Sequence, residues 1–182
     1  MKWILILCLV MSSAPLGSHA ATAAASDTTQ PLAHVSSSFS FRVNAGLHDA
    51  APLFGPEGER AWAGTDWNPQ FVFPTPARDV QGAVFTLRHG EHTAVWVNTV
   101  FNVEAGHMQY VYVLADLLAT TIDVRLHPID LTHTRVDVIY TRTALRPQAN
   151  EHVRSMAKHD GEQGPEWDAA IHAYLEHQSS SR

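Results

Sequence analysis

Cysteine is nearly absent: Cys8 stands alone in the 182 residues, so no intramolecular disulfide can form and stability must come from burial and hydrogen bonding. Long apolar runs are missing too. The longest, residues 3–11, falls short of the about 20 residues that a membrane-spanning helix takes. Basic clusters are lacking, acids and bases are interspersed and the formal net charge is −6, which argues against nucleic acid or an anionic membrane as partner. There is no Gly-x-Ser-x-Gly elbow, and no serine between Ser40 and Ser155, which leaves nucleophilic hydrolysis without support. Gly55-Pro56-Glu57-Gly58 lacks the lysine of a phosphate-binding loop.

Histidine, by contrast, is abundant, yet its spacing does not make a metal site. His172 and His177 are five apart, on different faces of a helix. His89 and His92 flank a turn without a third ligand, and His152, His159 and Asp160 form only a loose cluster. A His-Glu-x-x-His pattern is absent. No metal and no cofactor are expected, and the histidines read as surface residues.

The N-terminus has the layout of a secretory signal peptide: Lys2, an apolar stretch over residues 3–11, then small residues ending in Ser18-His19-Ala20. Cleavage after Ala20 would remove Cys8 and leave a chain of single-domain size without an integral membrane anchor. The expected destination is the periplasm or the medium. Residues 21–34 are small, polar and aperiodic and read as a flexible leader.

Period-two alternation begins at Val35, with Val35, Ser37, Phe39, Phe41 and Val43 on one face. Residues 46–54 and 56–63 have the length and punctuation of two short helices, with Pro56 suited to a first helical position. A short strand over 71–74 is stopped by Pro74 and Pro76. Strands follow over 83–88 and 93–103, joined by the turn His89-Gly90-Glu91-His92, and then over 108–115, 120–127 and 134–143, the spacing of an antiparallel meander. Polarity assigns the faces: Thr120, Ile122, Val124, Leu126, Val136, Val138 and Tyr140 inward; Asp123, Arg125, Arg135 and Asp137 outward in cross-strand pairs. Two helical patterns close the chain, one with Ala149, Val153, Met156 and Ala157, the other with Trp167, Ala170, Ile171, Tyr174 and Leu175, separated by a Gly-rich break before Pro165.

The segment Phe54, Pro56, Glu57, Gly58, Glu59, Arg60 and Trp62, followed by Trp67, Asn68 and Pro69, resembles a motif of a bacterial group within the START-like SRPBCC superfamily. The order strand, short helices, meander, terminal helix over residues 35–178 resembles that superfamily's helix-grip fold. The resemblance implies an α+β domain in which an antiparallel sheet wraps a C-terminal helix around an apolar ligand cavity. It implies a small hydrophobic ligand, lipid-like or polycyclic, as partner, and carries over no catalytic residue. Trp62 and Trp67 are candidates for stacking on a flat ligand at the cavity mouth, and Glu57, Glu59 and Arg60 for a surface ion pair. On the strands, Trp96, Asn98 and Val100 share one face, Met108, Tyr110 and Tyr112 another, and Tyr140 points inward. Ligand contacts are therefore expected from Trp62, Trp67, Trp96, Asn98, Met108, Tyr110, Tyr112 and Tyr140. The alternatives are a cyclase- or dehydratase-like enzyme using Tyr110, Asn98, Tyr140 or Arg142 in the same cavity, and a non-catalytic interaction module.

Overall fold

The computed structural model describes residues 30–181, the His89 side chain excepted; the expected signal peptide and most of the expected leader lie outside that range. Seven strands form one antiparallel sheet: β1 His34–Val43, β2 Gln70–Phe73, β3 Val84–His89, β4 His92–Asn102, β5 His107–Leu114, β6 Leu118–Pro128 and β7 Thr134–Ala144. Their order is β1-β7-β6-β5-β4-β3-β2, so β1 and β2 are the edges. Between those two lie helix α1 (Leu47–Ala50) and two single 3-10 turns, Ala51–Phe54 and Gly58–Ala61. Helices α2 (Asn150–Gly161) and α3 (Gly164–Ser180) follow the sheet. The Gly-rich break does separate two helices, and Pro165 opens the second.

The meander is ordered as its alternation demands. Ile122, Val124, Leu126, Val136 and Val138 are buried on the inner face, and Asp123, Arg125, Arg135 and Asp137 lie on the outer one. The arginines pair within their strands, Arg125 with Asp123 and Arg135 with Asp137, each at 2.8 Å, while the same two acids reach across strands to histidines, Asp123 to His107 at 2.9 Å and Asp137 to His127 at 3.2 Å. One face assignment changes. The ladder between β4 and β5 shifts between Asn98 and Val100, after which Phe101 opposes Met108. Such a bulge reverses the parity of the strand, so Phe101 takes the core side and Val100 leaves the face of Trp96 and Asn98.

The expected leader is not free at its end. The backbone N–H of Ala33 donates to Asn150 Oδ1 at 2.7 Å, Asn150 Nδ2 donates to the Pro31 carbonyl at 3.0 Å, and Ala144 N–H donates to the Ala33 carbonyl at 2.8 Å. Among the described residues no helix is long and apolar enough to cross a membrane.

Candidate functional site

The motif around the 3-10 turns stitches itself together. Asp79 accepts the backbone N–H groups of Glu57 and Gly58 at 2.8 and 3.1 Å. Arg60 pairs with Glu57 at 2.8 Å and also donates to Asn68 Oδ1 at 2.9 Å and to the Pro69 carbonyl. Trp62 Nε1 donates to the Leu53 carbonyl at 2.8 Å, and Trp67 Nε1 to the Pro56 carbonyl at 2.9 Å. Both motif glycines are required by close approach. A Cβ on Gly58 would stand 2.0 Å from the Pro52 carbonyl oxygen, and one on Gly55 2.2 Å from Asp79 Oδ2. Pro56 precedes the turn Gly58–Ala61 instead of opening it.

Glu59 breaks the pattern. The expected surface pair forms between Glu57 and Arg60 alone, while Glu59 is 6% exposed and turned into the core. In a 3-10 turn residues i and i+3 eclipse, so Glu57 and Arg60 share the outer side and Glu59 falls on another. Glu59 Oε1 stands 3.5 Å from the Tyr110 hydroxyl, which donates to the Phe54 carbonyl. Burial holds the Glu59 carboxyl well above its ordinary range, the Asp79 charge pushes the same way, and the Tyr110 hydrogen bond offsets only part. Burial also raises the Tyr110 phenol, with the Glu59 and Asp79 charges adding to it. Asp79 itself is raised by burial against the opposing pull of its two backbone donors.

The ladder registers arrange the inner wall in rows. Trp96, Tyr112, Thr120 and Arg142 oppose one another across β4 to β7; Asn98, Tyr110, Ile122 and Tyr140 form the next row, which ends on Ser37 of β1. Trp96 and Tyr112 stack with centroids 4.2 Å apart, and Phe85 stacks on Trp96 at 5.7 Å. All six strand candidates, Trp96, Asn98, Met108, Tyr110, Tyr112 and Tyr140, are buried on this wall. The two tryptophans of the turn part company. Trp62 packs on Trp167 of α3 at 5.2 Å and on Phe54, whereas the half-buried Trp67 packs edge-on against Trp96 at 5.6 Å. They belong to two aromatic clusters and do not flank one mouth.

Sequence reasoning missed a second buried feature. Arg142 lies 4% exposed under α2, its Nε and Nη2 bound to Asp160 at 2.5 and 2.7 Å and its Nη1 to the Tyr112 hydroxyl and, at 3.0 Å, to Thr120 Oγ1. Burial alone would lower the guanidinium pKa, but the hydrogen bonds and charge around it raise it overall. Asp160 is thus the partner of Arg142 and no member of a histidine cluster. With its donors satisfied, Arg142 serves as a clasp between β7 and α2 rather than as an acid or base.

The expected open cavity is not what the interior shows in this state. Between sheet and α3 stand the rings of Phe39, Phe41, Phe54, Trp62 and Trp167 in mutual contact. Two open surface grooves of about 450 Å³ lie elsewhere, one lined by Phe39, Phe41, Gly164, Pro165, Asp168 and His172, the other between Asn44 and the far end of α3. None of the eight expected ligand residues lines either groove.

Comparison of the fold with solved structures finds norcoclaurine synthase of Thalictrum flavum, in a complex with dopamine and hydroxybenzaldehyde, at a TM-score of 0.57 and 11% identity over 80% of this chain and 89% of that one. A protein from Rhizobium leguminosarum aligns at 0.56, with 14% identity over 81% and 97%. Ara h 8.0201 aligns at 0.57, with 11% identity over 79% and 98%. The sequence matches no protein-family model and no curated protein, so the finer grouping suggested by the Phe54–Pro69 motif finds no family-model support. Likeness at this identity concerns the fold, and by it the chain has the α+β helix-grip fold that norcoclaurine synthase and Ara h 8.0201 share.

Proposed function

We propose that this protein binds a small hydrophobic molecule between the concave sheet and its closing helices, and that it does so outside the cytoplasm. The observation that supports binding is Glu59. The motif's other polar side chains are accounted for by bonds that hold the turn, while this carboxyl is driven into an aromatic wall beside Tyr110 at the expense of its solvation. Apolar pockets with a few converging polar groups are what ligand sites look like. Entry to that space would part the rings of Phe39, Trp62 and Trp167 and move α3 off the sheet. In α3 Gly164 and Ile171 are buried, and Trp167, Ala170, Tyr174 and Leu175 pack half-buried against the core, so one partly exposed apolar face holds the helix. Burial of the ligand supplies about 25 cal/mol per Å² of apolar area, from which the ordering costs are subtracted.

A cyclase- or dehydratase-like reaction is the second reading, favoured by the same carboxyl beside a phenol, since a carboxyl with a raised pKa near a hydroxyl is suited to proton transfer. The protein-interaction alternative has no such feature behind it. Export rests on the leader alone, and intact mass of the protein recovered outside the cytoplasm should then begin at Ala21.

Native mass spectrometry of protein purified from its own envelope or medium tests binding: a co-purifying apolar mass, displaced saturably by N-phenylnaphthylamine, is expected. Absence of both a bound mass and probe binding would overturn it. Turnover that Tyr110→Phe abolishes in a folded variant would move the protein to the second reading.

A further inference from the structure

Asn98 is fully buried on the inner wall. Its backbone N–H and carbonyl bond Ala83 and Gly82 at 2.9 and 2.7 Å, and its Nδ2 faces the Val80 carbonyl at 3.4 Å, which fixes the orientation of the amide. Its Oδ1 has no hydrogen-bond partner among the described residues. A buried acceptor left without a donor loses the solvation it had in the unfolded chain, a loss that a ligand donor would relieve. The ladder puts Asn98 directly opposite Tyr110, just before the β4 bulge, and Val80, its amide contact, follows Asp79. Bulges concentrate next to functional sites because they re-aim side chains.

We propose that Asn98, with Glu59 and Tyr110 beside it, is a recognition station for the hydroxyl of a neutral, flat aromatic or polycyclic ligand. The inference rests on the binding reading above and specifies its ligand. The hydroxyl donates to Asn98 Oδ1, and its ring packs along the edges of the Phe71–Phe85–Trp96–Tyr112 stack, whose faces already cover one another, a flat apolar row that suits a flat molecule better than a flexible chain. A fatty-acid carboxylate is disfavoured on two grounds. It supplies no donor to Asn98, and its charge would be buried in the same apolar wall that already disfavours the anion of Glu59.

Competition binding of naphthol, naphthalene and naphthoate against N-phenylnaphthylamine at neutral pH, in the full protein and in Asn98→Leu, tests this. Naphthol should bind about tenfold more tightly than naphthalene, the worth of one hydrogen bond to a buried group otherwise unpaired, and naphthoate should bind weakest. Asn98→Leu should erase the preference for naphthol while naphthalene binding persists. Equal binding of naphthol and naphthalene by the parent, tighter binding of naphthoate, or a preference that survives in the variant would overturn the station and leave the binding reading standing. If the parent binds the probe but none of the three displaces it, the station falls alone; if the probe does not bind and no mass co-purifies, the binding reading falls with it. Should Asn98→Leu fail to fold, the order of the three ligands on the parent protein decides.

Discussion

Glu59 carries the main electrostatic tension in the molecule. Folding raises its pKa above the ordinary 4.5, so the folded state favours the proton. The stability linked to this group is fully present below 4.5 and is lost as pH rises from there through the raised folded value. Glu59→Gln removes the titration while keeping the shape. Its melting temperature should therefore gain on that of the parent steadily as pH is raised across that window, and a difference that stays flat would contradict a buried neutral carboxyl. Arg142 and Asp160 present the opposite case, a buried pair with good geometry. Asp160→Ala, which strands the guanidinium, should cost about 3–5 kcal/mol in chemical denaturation, and Arg142→Met added to it should restore much of that loss. A single variant as stable as the parent would show that the clasp contributes nothing. Neither residue was legible beforehand. Glu59 sits in a run of charges that reads as surface, and only the eclipsing of i and i+3 in so short a turn would have turned it inward. Asp160 finds its partner 18 residues away across the sheet-to-helix packing, where its neighbours Gly161 and Glu162 give no hint of burial.

At the scale of elements, periodicity was enough for the strands. The inner sets of β6 and β7 follow from alternation because one face is apolar and the other charged. The bulge in β4 escaped notice because Asn98, Thr99 and Val100 have no composition that marks a parity change, and Val100 was accordingly assigned to the wrong face. The closing helix is the element on which access depends. Trp167 plugs the space between Phe39 and Trp62, at 5.3 and 5.2 Å. Trp167→Ala should lower stability by about 3 kcal/mol, as for a truncated aromatic in a packed layer, and should raise the affinity for N-phenylnaphthylamine by vacating ring space. Reduced stability with no gain in probe binding would place the route of entry elsewhere.

For the molecule as a whole, the order of elements conveyed the helix-grip architecture, because hairpin-joined strands in a meander leave few ways to pair. The state of the interior was beyond reach of the same reasoning. Which aromatic side chains fill the grip depends on contacts such as Trp62 with Trp167, distant in sequence and set by how α3 lies on β1. Seven of the eight expected ligand residues are buried in the core, five of them in the two strand rows, and Trp67 packs half-buried against it, but the described conformation has its rings packed together, and the grooves lined by Phe39 and Asn44 lie on the surface. Binding inside the grip therefore implies a second, opened arrangement that a ligand selects.

That claim is tested most directly by a nitrogen-15 chemical-shift titration with naphthol, following the Asn98 side-chain amide and the indole signals of Trp62, Trp96 and Trp167. Saturable shifts at these inner groups are the predicted result. Shifts confined to Phe39–Arg42 and to residues 165–172 around the surface groove, or none at all, would contradict an internal site.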